Sequence, residues 1–345
     1  MGRAADCLIT GATGSLGRSL VSLLLQRCAS VRCLVRRRNG LGLPLSWSAA
    51  PSLAIVHGNL LSPTDMDRAV DGVRVVYHLA ASRGLPATIF AGTVVGSKNL
   101  LQAMLRVRPE RVVLISSLNV YGLAKVDPRV PVTEAFGVEE HPEKRDVYTH
   151  SKVWQEQLFR EHLAGSGIEL VVVRPGYVYG PGQQHLPPRM GLSLGNLLLQ
   201  VKPRTPLPIT YVENCADAIV FCGNADAAAD ETYNIVDDDV PTGSQYLRLS
   251  RGMDPSVGGV TSPFWAFTGL AYLNRLAHKI TDGHIPLVLT PYKACCAWRG
   301  HCFANQKLKN LGWRQPVSTT VALERTFCDR TLFEEKMVLP LKGAA

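Results

Sequence analysis

The chain has 345 residues, of which 46% are hydrophobic and 19% are charged, and its formal net charge is +9. This length allows one large domain or a domain with an appended lobe, and the composition excludes a disordered or fibrous chain. The longest basic run is the Arg-Arg-Arg at residues 36–38, and no aromatic-studded basic stripe accompanies it, so the sequence argues against nucleic-acid binding.

Short apolar runs alternate with helix-length segments through the first half of the chain. The predicted strands are residues 7–10, 31–35, 53–57, 74–79, 111–116 and 168–174, and the predicted helices are residues 16–28, 64–70, 89–107 and 147–164. The strands are nearly continuous runs of Val, Ile and Leu, which is typical of parallel strands covered on both faces. Repeated β-α units of this kind predict an α/β protein with a doubly wound parallel sheet.

The pattern changes after residue 174. A stretch rich in Gly and Pro occupies residues 175–188, and short strands mix with helices beyond it. No low-complexity spacer separates this part from the first. We therefore interpret residues 1–174 as the main domain and residues 175–345 as a smaller C-terminal lobe that is interleaved with the end of the sheet.

Three glycines lie where the first predicted strand turns into the first predicted helix. Gly11, Gly14 and Gly17 stand at intervals of three in the sequence TGATGSLG at 10–17. The first glycine permits the turn, the second lets the backbone approach a pyrophosphate, and the third lets helix and strand pack closely. The helix N-terminus adds unpaired N–H groups and a positive dipole. The pattern predicts that a dinucleotide binds Gly11, Thr13, Gly14, Ser15, Leu16 and Gly17.

The end of the second predicted strand indicates which dinucleotide is bound. NAD sites normally place an acidic residue there to hold the ribose 2′-hydroxyl, but no Asp or Glu occurs between Asp6 and Asp65. Val35 occupies that place and is followed by Arg36 and Arg37, whose guanidinium groups suit a 2′-phosphate. NADP(H) is therefore the favoured cofactor, bound through Arg36 and Arg37. NAD(H) stays open, because a solvated turn would also contain such arginines.

Tyr148 and Lys152 are four residues apart within a predicted helix and so share one face. A phenol is a poor acid–base catalyst at neutral pH unless a nearby cation favours its ionised form, and the Lys152 ammonium can supply that charge. Ser117 follows the fifth predicted strand, where its hydroxyl would hold a substrate oxygen beside the phenol. Ser116 is the alternative, because a shift of one residue moves a side chain to the other face of a strand. Without a catalytic role, the pair would be a half-buried Tyr with a solvated Lys.

Together these motifs resemble the extended branch of the short-chain dehydrogenase/reductase family, to which NAD-dependent epimerases and dehydratases belong. The resemblance extends to three further stretches: HGNL at 57–60, HLAA at 78–81 and GSKNLL at 96–101. The resemblance implies a Rossmann-type sheet, a C-terminal substrate-binding lobe, and an oxidoreductase whose catalytic residues are Ser117, Tyr148 and Lys152. The further cofactor contacts that it implies are Asn59, Leu60, Ala80, Ala81, Tyr148, Lys152, Pro175 and Val178. Two positions depart from the family: Asn59 stands where an Asp is usual, and Thr93 replaces a common active-site Asn.

The substrate lobe departs from the nucleotide-sugar enzymes of the same family. Those enzymes commonly have Asn at the position of Tyr177 and an Arg-Asp pair at the position of Leu207 and Pro208, so an amide and a diphosphate clamp are missing here. Aromatic and leucine residues at 264–273 predict an apolar pocket, unless they merely pack the lobe. The chain is most similar to the 3β-hydroxysteroid dehydrogenase-like reductases, with a steroid-, lipid- or aromatic-like ketone or secondary alcohol as substrate. A nucleotide-sugar epimerase or dehydratase and a non-catalytic NADP-sensing protein are the alternatives.

The nine cysteines do not indicate disulfides. Cys7 and Cys33 fall in predicted buried strands, as thiols in a reducing compartment do. Residues 295–302 hold three cysteines and a histidine without the usual Cys-x-x-Cys spacing, so no metal is expected. The first strand leaves no room for a cleaved leader, and no run reaches the ~18 apolar residues of a spanning helix, so we expect a cytoplasmic protein. Residues 264–272 come closest to such a run, and we interpret them as an amphipathic helix over a substrate pocket in preference to a helix that contacts a membrane. The resemblance also implies a homodimer formed through helices 89–107 and 147–164.

Overall fold

The computed structural model describes residues 6–27, 30–36, 47, 50–82, 84–183 and 185–327. Its strands, in chain order, are β1 Cys7–Thr10, β2 Val31–Val35, β3 Leu53–His57, β4 Val75–His78, β5 Arg111–Ile115, β6 Glu169–Pro175, β7 Tyr177–Tyr179, β8 Gly191–Leu194, β9 Leu197–Gln200, β10 Ile209–Tyr211, β11 Thr232–Ile235 and β12 Gly258–Thr261. Seven of them form one sheet in the order β11-β6-β5-β4-β1-β2-β3, and every neighbouring pair in it is parallel. The predicted doubly wound, Rossmann-type parallel sheet is confirmed.

The helices cover both faces of this sheet and continue into the C-terminal part of the chain. In chain order they are α1 Ser15–Gln26, α2 Pro63–Val70, α3 Pro86–Phe90, α4 Gly96–Val107, α5 Val147–Leu163, α6 Val212–Asn224, α7 Gly243–Met253, α8 Phe264–Ile280, α9 Pro291–Trp298, α10 Gln306–Asn310 and α11 Thr319–Phe327. A π-helical turn, Ala91–Val95, joins α3 to α4. The helix predicted at 89–107 therefore begins earlier and is not α-helical throughout. The other elements predicted for the first half differ from the observed ones by at most two residues at either end.

Alternate side chains of the strands enter two hydrophobic layers. Ile9 of β1 and Val113 of β5 enter the layer that α1 and α6 cover, whereas Leu8 and Val112 enter the layer that α2, α4 and α5 cover. All four side chains are fully buried. Burying a side chain of this kind contributes about 1.5–3 kcal/mol, so both layers hold the strands, and with them the loops that follow each strand.

The strand order reverses between β1 and β4. In a doubly wound sheet this reversal leaves a crevice beyond the carboxyl ends of the strands, because the connecting helices leave in opposite directions. The loops after β1, β4 and β5 open at this edge of the sheet. They carry the glycine motif, the HLAA motif and the predicted catalytic serine.

The C-terminal part of the chain is built into the sheet. β11 pairs with β6, and α6 packs against α1, so residues beyond 174 complete the main layers. The lobe adds a three-stranded sheet, β8-β9-β12, on which α8 packs through Phe267 and Ala271, and a parallel pair of β7 with β10. The boundary at residue 174 stays a prediction. Within the described ranges, no helix combines the length and the apolar character needed to cross a bilayer.

Candidate active site

The three glycines of the first loop occupy different environments. Gly11 has a φ of +77°, and a Cβ there would lie 2.9 Å from the backbone nitrogen of Ala80. A Cβ on Gly17 would lie 2.3 Å from the carbonyl oxygen of Gly11, so this glycine lets α1 begin directly beside β1. Within the described ranges, a Cβ on Gly14 would meet only that same oxygen, at 3.4 Å, and Gly14 is exposed. The loop leaves an open approach to the backbone, and this shape fits a dinucleotide pyrophosphate.

The N-terminus of α1 begins in this loop. Gly14 is its N-cap residue, and no side chain caps it. Thr13 is exposed and its carbonyl accepts a hydrogen bond from Arg18 Nε at 3.0 Å. Ser15 and Leu16 are partly buried. The first-turn amides of α1 therefore lack a side-chain acceptor of their own, which suits them to bind phosphate oxygens.

The ends of β2 and β3 lie side by side at the same edge. Arg36 follows β2 with an exposed side chain, and Arg37 lies outside the described residues. Asn59 is exposed two residues beyond β3, and the carbonyl of the next residue, Leu60, accepts a hydrogen bond from Asn99 Nδ2 at 2.9 Å. This bond fixes the loop after β3 to α4. The Arg36 and Asn59 side chains are exposed, and Asn59 Oδ1 accepts a hydrogen bond from the Leu61 amide at 3.1 Å.

The remaining predicted cofactor contacts follow the same edge. Ala80 and Ala81 lie two and three residues beyond the end of β4, and the amide of Ala80 donates to Thr10 Oγ1 at 3.4 Å. Pro175 ends β6. Val178 of β7 packs against both the main core and the core of the lobe. The described members of the predicted cofactor site are thus placed along the carboxyl ends of neighbouring strands.

The two candidate serines after β5 differ in their surroundings. Ser117 is partly buried, and its Oγ accepts a hydrogen bond from the backbone amide of Asn119 at 3.2 Å. Ser116 is buried, and its Oγ has no hydrogen-bond partner within the described part of the chain. The Ser117 hydroxyl keeps its proton available for donation, because the Asn119 bond uses only its oxygen.

Helix α5 carries Tyr148 in its first turn and Lys152 one turn later. Asp146 caps the helix by accepting a hydrogen bond from the Thr149 amide at 2.9 Å, which fixes where the helix begins. Tyr148 is partly buried and Lys152 is fully buried. The Lys152 ammonium donates to the carbonyl of Ile115, the last residue of β5, at 2.8 Å. This bond joins the helix that carries Tyr148 to the strand that leads to the serines.

A buried polar network lies behind Lys152, and sequence reasoning missed it. The Lys152 ammonium also donates to Gln155 Oε1 at 2.8 Å. Gln155 Nε2 lies 3.1 Å from His78 Nε2 and donates to Ser97 Oγ at 2.8 Å, while His78 Nδ1 lies 2.7 Å from Thr10 Oγ1. Burial lowers the pKa of His78 to about 3, and the Lys152 charge acts in the same direction. The imidazole is therefore neutral, and its Nε2 also lies 2.9 Å from Ser97 Oγ. Because the Gln155 amide nitrogen can only donate, His78 Nε2 accepts from it and Nδ1 carries the proton towards Thr10 Oγ1.

This network holds the Lys152 ammonium in one orientation. Its side chains are fully buried, and the Ser97 hydroxyl donates in turn to the carbonyl of Thr93 in the π-helical turn. Leaving one such group unpaired would cost about 1–3 kcal/mol. Burial lowers the pKa of Lys152 to about 8, although the Glu156 carboxylate acts in the opposite direction. The signal in the sequence was the spacing of Lys152 and Gln155, three residues apart on one helix face.

One cation of the lobe reaches the edge that carries the serines, and this residue was also missed. Arg189, in the turn Pro188–Met190, donates through Nη2 to Asn119 Oδ1 at 3.1 Å. Its guanidinium carbon lies 5.0 Å from the centre of the Phe303 ring. Burial lowers the pKa of Arg189 to about 10, and Asp146, which caps α5, acts in the opposite direction. Within the described ranges, no carboxylate forms a salt bridge with Arg189.

The segment 264–273 does not form the apolar pocket predicted for it. Only Phe267 and Ala271 of α8 are buried, and these two residues fill the contact with the small sheet. The predicted lining residues that are instead exposed are Trp265, Leu270, Tyr272 and Leu273. Because the inner face of the helix is taken by one aromatic and one small residue, the other large side chains face outwards.

The cysteine-rich stretch 295–302 is occupied by structural contacts. Cys296 is buried, and its thiol donates to Glu139 Oε2 at 3.7 Å. His301 Nε2 lies 3.2 Å from the carbonyl oxygen of Val126. Among the residues that the structure describes, no three His, Cys, Asp or Glu side chains come together as metal ligands.

Comparison with known proteins identifies the family. The model of the NAD dependent epimerase/dehydratase family matches residues 7–235. The chain is 26% identical over 280 residues to UDP-glucose 4-epimerase of Vibrio cholerae, a match that covers 75% of this chain and 79% of that protein. It is 23% identical over 348 residues to the decarboxylating sterol-4-alpha-carboxylate 3-dehydrogenase of Mus musculus, a match that covers 94% of this chain and 90% of that protein.

Solved structures agree on the fold. The crystal structure of gox2253 matches with a TM-score of 0.77 at 22% identity and covers 96% of this chain and 98% of that one. The family match contains the glycine loop, the serines after β5 and the Tyr148–Lys152 pair. The predicted family is confirmed. The chain belongs to the NAD dependent epimerase/dehydratase family and is an enzyme of the extended short-chain dehydrogenase/reductase type.

Proposed function

We propose that this protein transfers a hydride between a nicotinamide dinucleotide, NADP(H) by preference, and a ketone or secondary alcohol on an apolar substrate. The observation that carries the proposal is the buried Lys152 ammonium, held by Ile115 and Gln155 beside Tyr148. It lies at the sheet edge onto which the glycine loop opens. When bound, the nicotinamide would supply or accept the hydride.

The chain's own residues would move and hold the proton. In the reducing direction Tyr148 would donate its phenolic proton to the carbonyl oxygen as negative charge develops there. The positive charge of Lys152 would stabilise the phenolate that remains. The Ser117 hydroxyl would donate a hydrogen bond to the same substrate oxygen and so orient it.

Consumption of NADPH with a panel of carbonyl compounds tests this function. We expect turnover with apolar ketones, and the reverse reaction with the matching secondary alcohols and NADP⁺. Interconversion of UDP-glucose and UDP-galactose is the assay for the epimerase alternative, which the relative from Vibrio cholerae supports. Epimerisation without net consumption of NADPH would contradict the proposal. Binding of NADPH without turnover of any carbonyl or sugar nucleotide would favour a cofactor-sensing protein.

The rate of ketone reduction is expected to fall above about pH 8. Burial lowers the pKa of Lys152 to about 8, so the ammonium is present below this pH and becomes the neutral amine above it. Loss of its charge removes the stabilisation of the phenolate. A plot of log kcat/KM against pH should show a descending limb with its midpoint near this value.

Gln155→Leu should move that limb to lower pH. The substitution removes an acceptor of the ammonium, so the charged form of Lys152 loses stabilisation. Gln157→Leu is the matched control, because Gln157 lies on the same helix, is exposed, and hydrogen-bonds Glu161. A limb at the same pH in Gln155→Leu and in the parent protein would show that Gln155 does not position the ammonium.

Replacing both Arg36 and Arg37 by Ala is expected to weaken NADPH binding and to spare NADH. Hydrogen bonds to a charged phosphate contribute about 1.5–3 kcal/mol, which corresponds to a rise in Kd of roughly 10- to 150-fold. Fluorescence titration with each reduced dinucleotide measures the effect. Arg106→Ala, an exposed arginine on α4, is the control. Equal affinity of the parent protein for NADH and NADPH would disprove the preference.

Arg189 favours a substrate that carries an acid group near the reacting carbon. Its guanidinium lies at Asn119, two residues beyond Ser117, and has N–H groups to spare beyond that one bond. A carboxylate is the group that a guanidinium binds most specifically, through two parallel hydrogen bonds. The mouse relative is named as acting on a sterol carboxylate. We therefore include 3-hydroxy and 3-oxo acids with an apolar body in the proposed substrate class.

Arg189→Met should raise the KM for such an acid and leave kcat nearly unchanged. The expected rise is roughly tenfold or more, from the loss of a charged hydrogen bond. The probes are 3-hydroxydodecanoic acid and its methyl ester, oxidised with NADP⁺. We expect the parent protein to prefer the acid and the variant to treat both alike. If the parent protein oxidises both equally, Arg189 does not bind the carboxylate of the substrate, although the oxidoreductase function stands.

The predicted homodimer stays a prediction. Trp154 of α5 is exposed, as is Val95, the last residue of the π-helical turn that leads into α4. Sedimentation of the parent protein and of Trp154→Glu would test whether these helices form a contact between two copies.

A further inference from the structure

Exposed apolar side chains are concentrated on one helix of the lobe. In α8, Trp265 is 76% exposed, Ile280 71% and Leu273 63%. Tyr272 and Leu276 are exposed as well. Residues 265, 272, 276 and 280 are separated by 7, 4 and 4 positions, so they form one stripe along the helix. We call these five residues the α8 face.

The apolar surface continues into the segment after the helix. The Asn274 side chain accepts a hydrogen bond from the Leu289 amide at 3.0 Å and donates to the Pro286 carbonyl at 3.1 Å. These bonds fold the segment back along α8. Ile285 and Val288 are exposed there, so they widen the apolar surface. An apolar patch of this extent is unusual for a surface that contacts only water.

Positive charge accompanies this face. Arg275 and Lys279 are exposed on α8, and the helix Phe264–Ile280 contains no Asp or Glu. On a helix with 3.6 residues per turn, positions 275 and 279 lie at the border of the stripe formed by 265, 272, 276 and 280. An apolar stripe with Trp and Tyr and with a border of cations is the arrangement of helices that lie in a membrane interface.

We propose that the α8 face binds the surface of an anionic lipid bilayer, with the helix lying in the plane of the interface. The apolar side chains would enter the region below the headgroups, while Arg275 and Lys279 would contact lipid phosphates. A second copy of the chain fits less well. The α8 helix of a second copy would offer no Asp or Glu to pair with Arg275 and Lys279.

The helix is also connected to the candidate active site. On its inner face Phe267 packs against Trp298, whose Nε1 donates to the carbonyl of Pro188, the residue before Arg189. A bilayer under the α8 face would therefore lie beside the lobe that receives the substrate. If the proposed function holds, an apolar substrate dissolved in the lipid would be held next to the lobe that carries Arg189.

Flotation of the full chain with lipid vesicles tests the proposal, and it does not depend on activity. We expect the protein to float with phosphatidylcholine vesicles that contain phosphatidylglycerol, and to float less with phosphatidylcholine alone. The triple substitution Trp265→Gln, Leu273→Gln, Leu276→Gln should abolish flotation at an unchanged thermal unfolding midpoint. Leu85→Gln is the matched control, because Leu85 is 75% exposed elsewhere on the surface, and it should float like the parent protein.

The charge is tested separately. Arg275→Gln and Lys279→Gln should each lower the partition onto the anionic vesicles by about fivefold, the effect of one cation near a charged membrane, and should not change the partition onto phosphatidylcholine. A parent protein that floats with neither vesicle would overturn the proposal, as would a triple variant that floats like the parent. So would a parent dimer that the triple substitution converts to a monomer without any vesicle binding, because the α8 face would then cover a second copy.

Discussion

Replacing Tyr148 by Phe is expected to lower kcat for ketone reduction by about 10²–10⁴-fold, with NADPH affinity nearly unchanged. The substitution keeps the aromatic ring in the first turn of α5 and removes only the hydroxyl. Without that proton donor, negative charge on the substrate oxygen would develop in the transition state with no proton to neutralise it. Stopped-flow measurement of NADPH oxidation separates the chemical step from product release.

Two further variants sharpen this result. Lys152→Ala should lower both kcat and cofactor affinity, because the ammonium is assigned two roles, at the phenol and at the nicotinamide ribose. Tyr272→Phe is the control for a tyrosine that lies on the exposed side of α8, and it should behave as the parent protein does. Normal turnover by Tyr148→Phe would show that another group moves the proton.

The sequence predicted best those elements whose local residue pattern is compatible with only one structure. Continuous runs of Val, Ile and Leu predicted six of the seven strands of the main sheet to within a residue or two, because parallel strands covered on both faces tolerate little else. The seventh strand, β11, was not predicted. The glycine triplet predicted the turn between β1 and α1 for the same reason. A Cβ at Gly11 or Gly17 would collide with backbone atoms.

What the sequence did not show depends on contacts between distant segments. The spacing of Gln155 from Lys152 on α5 was visible in the sequence, but nothing in the local sequence indicates that Thr10 and His78, from two other elements, join them. Arg189 likewise reaches Asn119 across 70 positions of the chain. The aromatic residues of α8 were misjudged for a related reason. Hydrophobic character alone does not say whether a side chain faces a core or a surface.

The glycine loop allows a direct separation of binding from folding, through Gly14→Ala and Gly17→Ala. Among the residues that the structure describes, a Cβ on Gly14 meets only the Gly11 carbonyl oxygen, at 3.4 Å, and the backbone there is extended, with φ −69° and ψ 164°. We therefore expect Gly14→Ala to change the free energy of unfolding by less than about 0.5 kcal/mol. The same methyl group would occupy the approach of the pyrophosphate, so the Kd for NADPH should rise by about 10²-fold, as two or more phosphate hydrogen bonds are lost.

Gly17→Ala should instead destabilise the fold and lower cofactor binding only as a consequence. Its Cβ would lie 2.3 Å from the Gly11 carbonyl oxygen and 2.8 Å from backbone carbons of Ala12, so α1 must move away from β1. Overpacking of this kind costs about 1–3 kcal/mol or more, which urea unfolding would detect, and cofactor binding should fall with it. Gly252→Ala in α7, where a Cβ meets no atom of the described part of the chain within 4 Å, is the control for both measurements. If Gly14→Ala binds NADPH as tightly as the parent protein, the pyrophosphate does not approach the backbone at Gly14, and the cofactor must be held elsewhere along the sheet edge.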